Sequence, residues 1–66
     1  MQIRLNGAEV VFATEVSLEE LLLQQKINLD TVIVELNQTI IKRDELAQTM
    51  VKDLDTIEVL RFVGGG

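Results

Sequence analysis

The segment Ser17-Leu18-Glu19-Glu20-Leu21-Leu22 carries the clearest helix signal of the chain. The Ser17 hydroxyl can accept a hydrogen bond from the Glu20 amide while the Glu20 carboxylate reaches back, which together form a capping box. The three leucines share one side of a helix because residues three and four apart lie on the same face. An isolated helix of about ten residues is marginal in water. We therefore predict a helix of about this length, ending near Lys26, whose leucines pack on a sheet.

Strand signals lie on both sides of this helix. Met1, Ile3 and Leu5 alternate with polar residues, which is typical of a strand with one wet face. Asn6-Gly7 favours a hairpin turn in which both residues have positive φ. We therefore predict that residues 1–13 form a β-hairpin, with residues 10–12 as its returning strand. Beyond the helix, residues 32–36 and 39–41 predict strands around a weaker turn pair, and residues 57–62 predict the last strand.

Two short segments complete the pattern. We expect Asp44 to cap a short helical turn that runs through residue 49, and residues 53–56 to form a turn. We interpret Asp53 and Asp55 as an acidic turn and not as a catalytic carboxylate pair, because such a pair needs a pocket and matched pKa values. The predicted fold is α+β, a mixed sheet of four or five strands packed on one helix, plus a short helical turn. Residues 1–62 form the domain and residues 63–66 a flexible glycine tail.

The composition excludes several classes of function. The 66 residues include no cysteine and no histidine, which removes zinc fingers, iron–sulfur sites and thiol catalysis, and we predict no metal site. The hydrophobic content of 47% and the scarcity of aromatic residues predict an aliphatic core. A net charge of −5 without a basic stripe argues against nucleic-acid binding. We expect neither a membrane span nor a signal peptide, and a cytoplasmic location.

The last predicted strand is apolar on both faces. Ile57 and Val59 lie on one face, whereas Leu60 and Phe62 lie on the other together with Glu58. The single helix can cover only one face of the sheet. We therefore predict that the other face is bare and binds a partner through Leu60, Phe62 and the following residue, Val63.

The chain ends in Gly64-Gly65-Gly66. Three glycines pack nothing and lose much conformational entropy when ordered, so they do not serve stability. Without Cβ atoms, the backbone can enter a narrow channel and approach a partner's catalytic groups. Residues 63–66 can extend roughly 13–14 Å. We predict that the tail delivers the Gly66 carboxylate to another protein's active site, and that the chain has no catalytic residues of its own.

Several segments together resemble the ThiS family, the sulfur carriers of thiamin biosynthesis with the ubiquitin-like β-grasp fold. The resemblance covers essentially the whole chain, and its last ten residues are the most specific part. The segments that carry it are Asn6-Gly7, Ser17-Leu18-Glu19-Glu20-Leu21-Leu22, Val34-Glu35-Leu36-Asn37 and Ile57-Glu58-Val59-Leu60-Arg61-Phe62-Val63-Gly64-Gly65-Gly66.

The resemblance implies a function for the tail. An E1-like adenylyltransferase that uses ATP and Mg²⁺ adenylates Gly66, a sulfur donor protein supplies sulfur for a thiocarboxylate, and thiazole synthase receives that sulfur. The chain itself then binds no cofactor. Two positions depart from the family pattern, because Leu54 stands where glycine is expected and Lys42 where proline is expected. We expect Leu54 to disfavour a positive-φ turn before the last strand.

Three other functions are compatible with the sequence. The small subunit of molybdopterin synthase shares the fold and a Gly-Gly end. A ubiquitin-like modifier would use the same activation and join Gly66 to lysines of target proteins. A plain interaction module would keep its function after deletion of Gly65 and Gly66, whereas any carrier would lose it.

Overall fold

The computed structural model describes residues 1–61. Their strands are β1 (Gln2–Leu5), β2 (Ala8–Val11), β3 (Val32–Leu36), β4 (Thr39–Ile41) and β5 (Thr56–Arg61). The helical elements are α1 (Leu18–Gln24), a first 3₁₀ helix (Leu29–Thr31) and a second 3₁₀ helix (Arg43–Gln48). The five strands form one sheet in the order β2-β1-β5-β3-β4. β1 and β5 pair in parallel and the other neighbours are antiparallel, so the sheet is mixed, as predicted.

Both hairpins turn through residues with positive φ. Asn6 and Gly7 have φ values of 50° and 83°, which confirms the predicted turn between β1 and β2. Asn37 and Gln38, with φ values of 49° and 72°, connect β3 and β4 in the same way. Asparagine tolerates this region because its side chain can hydrogen-bond locally.

The start of α1 agrees with the prediction and its end does not. The Ser17 side chain accepts a hydrogen bond from the Glu20 amide at 3.1 Å, although the reciprocal bond is absent within residues 1–61. α1 has seven residues and ends at Gln24, so the expected length of ten was wrong. Lys26 lies past the end with a φ of 62°, and the Lys26 and Ile27 amides donate to the carbonyls of residues 23 and 22. This pattern is a Schellman motif, which reverses the chain and stops the helix.

The residue that caps the second 3₁₀ helix is not the one that was predicted. Asp44 lies in its first turn, while Lys42 is the residue that precedes the helix. The Lys42 amide donates to the Glu45 carboxylate at 3.3 Å, and the Glu45 amide donates to the Lys42 carbonyl at 2.9 Å. The expectation that Asp44 is the cap was therefore wrong, because a glutamate three residues into the helix satisfies the exposed amide instead.

The core lies between α1 and one face of the sheet. Its buried residues are all aliphatic, as predicted, and Phe12 packs against them only partly buried. The bridge between Ser17 and Met50 ties the start of α1 to the segment after the second 3₁₀ helix, with the Leu18 amide donating to the Thr49 carbonyl at 2.7 Å. The buried residues are Ile3, Leu5, Val16, Leu18, Leu21, Leu22, Leu29, Val34, Leu46, Val51 and Ile57.

Leu54 adopts the conformation that we expected it to disfavour. Its φ is 71°, so the expectation that leucine makes a positive-φ turn less favourable here was wrong. Neighbouring hydrogen bonds hold the turn, since the Leu54 amide donates to the Gln2 carbonyl at 2.7 Å and the Gln2 amide donates to the Asp53 carboxylate at 2.8 Å. These bonds to β1 offset the steric cost of a left-handed residue, about 1–2 kcal/mol.

Leu54→Gly is therefore expected to stabilise the fold by about 0.5–1 kcal/mol, because glycine removes the clash but loses more entropy on folding. Leu54 is exposed, with 71% of its surface accessible, so little packing is lost. Urea denaturation checks the result. Leu54→Ala is the matched control, since it shortens the side chain but keeps the strained Cβ. Equal stabilities for the glycine and alanine variants would contradict the strain argument.

Candidate functional site

Strand β5 is the element that leads to the glycine tail, and it occupies the centre of the sheet. Its partners are β1 on one side and β3 on the other. Pairing with β3 continues to the last described residue, where Val32 lies opposite Arg61. Pairing with β1 ends earlier, where Leu5 lies opposite Ile57. The strand that bears the tail is therefore held by the body of the domain up to Arg61.

Two asparagines from the hairpin turns fix β5 along its length. At its start, the Thr56 amide donates to the Asn37 side chain at 2.9 Å, and the Asn37 amide donates to the Thr56 carbonyl at 2.8 Å. Further along, the Val59 amide donates to the Asn6 side chain at 2.7 Å, two residues after the pairing with β1 ends. Sequence reasoning identified both asparagines as turn residues and missed this second role. One feature of the sequence could have indicated this role. Glycine would also fit each turn, but asparagine adds a side-chain oxygen that can accept a hydrogen bond from another strand.

Replacement of Asn6 separates its two roles. Asn6→Gly keeps a residue that favours positive φ but removes the acceptor for the Val59 amide, and we expect a loss of about 1 kcal/mol. Asn6→Asp keeps an acceptor oxygen at the same place and serves as the matched control. Hydrogen exchange of the Val59 amide measures the effect directly. Equal protection of that amide in both variants would contradict the assigned hydrogen bond.

The outer face of β5 is bare within the described part of the chain. Ile57 is buried and Val59 half-buried on the core side, whereas Glu58 and Leu60 are exposed on the other side. Leu60 keeps 51% of its surface accessible. The predicted bare face is thus confirmed at Leu60. Its role in partner binding stays a prediction, and the calls on Phe62, Val63 and Gly64 to Gly66, including the flexible tail, lie outside the described residues.

The two aspartates that flank Leu54 stabilise the turn by accepting hydrogen bonds. Asp53 accepts from the Gln2 amide, as described above, and Asp55 accepts from the Lys52 amide at 2.7 Å and from the Asn37 side chain at 3.0 Å. Both carboxylates are thus engaged by amide donors of the turn and its neighbours. This arrangement confirms the acidic-turn interpretation.

Residues 1–61 contain neither a membrane-crossing helix nor a cluster of metal-binding side chains. No helix in this range has both the length and the apolar character needed to cross a membrane. No group of three or more acidic side chains in this range is placed to hold a metal ion.

Comparisons with known proteins point to one family. The model of the ThiS family matches residues 2–66. The chain is 34% identical over 65 residues to the sulfur carrier protein ThiS of Bacillus subtilis, covering 97% of this chain and 98% of that protein. It is also 35% identical over its full length to a thiazole synthase of Paramagnetospirillum magneticum, of which it spans only 20%.

Solved structures agree with the sequence relatives. The crystal structure of a thiamine biosynthesis protein, ThiS, from Geobacter metallireducens superposes with a TM-score of 0.87 at 36% identity, with both chains fully covered. A solution NMR structure of a thiamine biosynthesis protein from the same organism gives a TM-score of 0.80 at 38% identity and covers all of this chain and 88% of that one. The fold is therefore the ubiquitin-like β-grasp that the resemblance implied, and the chain belongs to the ThiS family.

Proposed function

We propose that this chain is a sulfur carrier of thiamin biosynthesis, which carries sulfur on the carboxylate of Gly66. The observation that supports the proposal most directly is the match of the ThiS family model, which includes the terminal glycines. The relatives in Bacillus subtilis and Geobacter metallireducens are named for sulfur carriage or thiamine biosynthesis. These names favour the thiazole pathway over the molybdopterin pathway and over protein modification.

The chemistry requires activation of the tail. A carboxylate resists nucleophilic attack because its negative charge repels the nucleophile. Transfer of AMP from ATP to the Gly66 carboxylate releases pyrophosphate and gives an acyl-adenylate. A persulfide sulfur of the donor protein then displaces AMP and forms an acyl disulfide. A thiol attacks the donor-side sulfur of this disulfide, which releases the Gly66 thiocarboxylate and leaves the thiol and the donor joined in a new disulfide. The activating partner binds and uses the ATP and Mg²⁺. We assign the reaction to the cytoplasm, where ATP is available.

The folded domain determines where the tail begins and how far the Gly66 carboxylate can reach. Hydrogen bonds from both hairpin turns and pairing with β3 hold β5 up to Arg61. The five residues that follow can span at most about 16–18 Å. A partner that binds the body therefore receives the Gly66 carboxylate within a limited radius of its surface, which raises the effective concentration of the carboxylate at the partner's active site.

Thiazole synthase is the proposed acceptor of the sulfur. The thiazole synthase of Paramagnetospirillum magneticum contains a segment similar to this whole chain within a protein about five times as long. A carrier-like segment in the same polypeptide as a thiazole synthase supports a direct encounter between carrier and synthase. The E1-like adenylyltransferase and the sulfur donor follow from the chemistry of activation.

Intact-mass spectrometry tests the proposal. The purified chain is incubated with ATP, Mg²⁺, an E1-like adenylyltransferase and a sulfur donor from the same genome. We expect a mass gain equal to replacement of one oxygen by one sulfur, localised to Gly66 by fragmentation, and loss of that gain after addition of thiazole synthase and its substrates. A mass that never changes in the complete mixture would refute sulfur carriage by this chain.

A further inference from the structure

The pair Asn6-Gly7 carries a chemical reactivity that the hairpin turn does not use. The chain has three asparagines, at positions 6, 28 and 37, and Asn6 alone is followed by glycine. Because glycine has no Cβ, its backbone nitrogen can closely approach the side-chain carbonyl carbon of the preceding residue. Asn6 and Gly7 are both exposed, and a Cβ built on Gly7 would meet no atom within 4 Å. Water therefore reaches the place where the two groups would react.

The reaction is the loss of the side-chain amide of Asn6. The Gly7 nitrogen forms a bond to Cγ of Asn6 and gives up its proton, while Nδ2 leaves as ammonia and a succinimide ring remains. Addition of water opens this ring at either carbonyl carbon. One opening gives aspartate with the original main chain, and the other gives isoaspartate, in which the main chain runs through Cβ and Cγ. Water is the only co-reactant.

The folded turn holds Asn6 away from this reaction. Its side-chain oxygen accepts a hydrogen bond from the Val59 amide at 2.7 Å, and its own amide donates to the Ile57 carbonyl at 2.9 Å. Rotation of the Asn6 side chain so that Cγ meets the Gly7 nitrogen breaks the bond to Val59. The reaction therefore requires a local opening of the turn, and its rate depends on how often the turn opens.

We propose that Asn6 is a site of spontaneous deamidation, that the bond to Val59 protects it in the folded protein, and that the isoaspartate product releases β5 from the turn. Aspartate keeps an acceptor oxygen for the Val59 amide at the same place. Isoaspartate adds one carbon atom to the main chain of the turn and attaches its carboxylate directly to Cα. The longer turn disturbs the pairing of Leu5 with Ala8, because the length of a hairpin loop fixes the register of its strands.

This modification acts on the strand that leads to the glycine tail. Val59 lies in the second half of β5, beyond the last residue that pairs with β1. On that side of β5, the Asn6 side chain is the group that engages the Val59 amide. Loss of this bond therefore loosens β5 close to the point where the tail begins.

Asn37 provides a comparison within the same chain. It occupies the equivalent place in the turn between β3 and β4, with a φ of 49° against 50° for Asn6. Its side-chain oxygen also accepts from an amide of β5, that of Thr56, at 2.9 Å. The residue after it is Gln38, whose Cβ hinders attack by the backbone nitrogen. In an unfolded chain the two asparagines differ in the residue that follows, so Asn6 is expected to react first.

Peptide mapping by mass spectrometry tests the site and its protection. The purified chain is kept in mildly alkaline buffer, folded in one sample and unfolded by guanidinium chloride in another. In the unfolded chain, we expect replacement of NH2 by OH to be roughly tenfold faster at Asn6 than at Asn28 or Asn37. In the folded chain, we expect the reaction at Asn6 to be slower by roughly tenfold or more. Gly7→Ala, measured in guanidinium chloride so that folding plays no part, is expected to lower the Asn6 rate to that of Asn37.

Two results of this measurement would overturn the proposal. Equal rates at the three asparagines in guanidinium chloride, or an unchanged rate in Gly7→Ala, would mean that Asn6-Gly7 is not a preferred site. Equal Asn6 rates in the folded and unfolded chains would mean that the turn and its bond to Val59 give no protection.

Hydrogen exchange tests the consequence for β5. The chain is short enough for chemical synthesis, so isoaspartate can be placed at position 6 and compared with Asn6→Asp, which has the same mass. We expect the Val59 amide to exchange roughly tenfold faster in the isoaspartate chain, and at about the wild-type rate in Asn6→Asp. Failure of the isoaspartate chain to fold, while Asn6→Asp folds, would also support the proposal. A folded isoaspartate chain with the wild-type exchange rate at Val59 would overturn the release of β5.

Discussion

Addition of one alanine after Gly66 is expected to reduce thiocarboxylate formation by roughly 100-fold or more, because even small displacements of a reacting group are costly. In the extended chain, the Gly66 carboxylate becomes an amide, and the new carboxylate lies one residue further from the body. The new terminal residue also carries a Cβ, which sterically hinders access of the partner's catalytic groups to the carboxylate. Pyrophosphate release measures adenylation, and intact mass measures thiocarboxylate formation, so the two steps are followed separately.

The matched control for this extension is Leu23→Ala. Leu23 is exposed on α1, with 53% of its surface accessible, and its replacement leaves the terminus unchanged. We expect this control to acquire sulfur as the wild type does, while circular dichroism shows that both variants are folded. Sulfur loading of the extended chain at the wild-type rate would show that Gly66 is not the carrying residue.

Leu22→Ala is expected to destabilise the fold by about 3 kcal/mol, through lost burial and the cavity that remains. Leu22 is completely buried between α1 and the sheet. A domain of this size is stable by only about 3–10 kcal/mol, so the change removes a large share of the total. The helix itself tolerates alanine well, which isolates the packing contribution.

Urea denaturation of Leu22→Ala and Leu23→Ala checks this expectation within one helix. The two variants make the same chemical change at adjacent residues, one buried and one exposed. We expect the Leu23 variant to lie within about 0.5 kcal/mol of the wild type. Similar losses at both positions would mean that the core does not depend on the leucines that face the sheet.

Local signals predicted most of the elements. The turn at Asn6-Gly7, the capping interaction of Ser17 with Glu20 and the aliphatic core all agree with the structure. Alternation along residues 57–60 assigned the two faces of β5 correctly. These features depend on interactions between residues close in sequence or on a period that the strand itself imposes, so they are visible without the tertiary fold.

Other features depend on residues far apart in the chain. The left-handed conformation of Leu54 is stabilised by hydrogen bonds to Gln2, more than fifty positions away. Sequence reasoning weighed only the local cost of leucine there and reached the wrong expectation. The bond from the Val59 amide to Asn6 was missed for the same reason, since its partners meet only when β1 and β5 pair.

The sequence by itself determined the apolar faces of the strands and of α1 and the Asn6-Gly7 hairpin turn, because backbone propensities and side-chain periodicity act over a few residues. The tertiary structure decided the central position of β5 and the register that places Glu35 opposite Glu58. Register and strand order depend on which apolar faces are buried together, and that choice minimises the free energy of the whole core and not of any one segment.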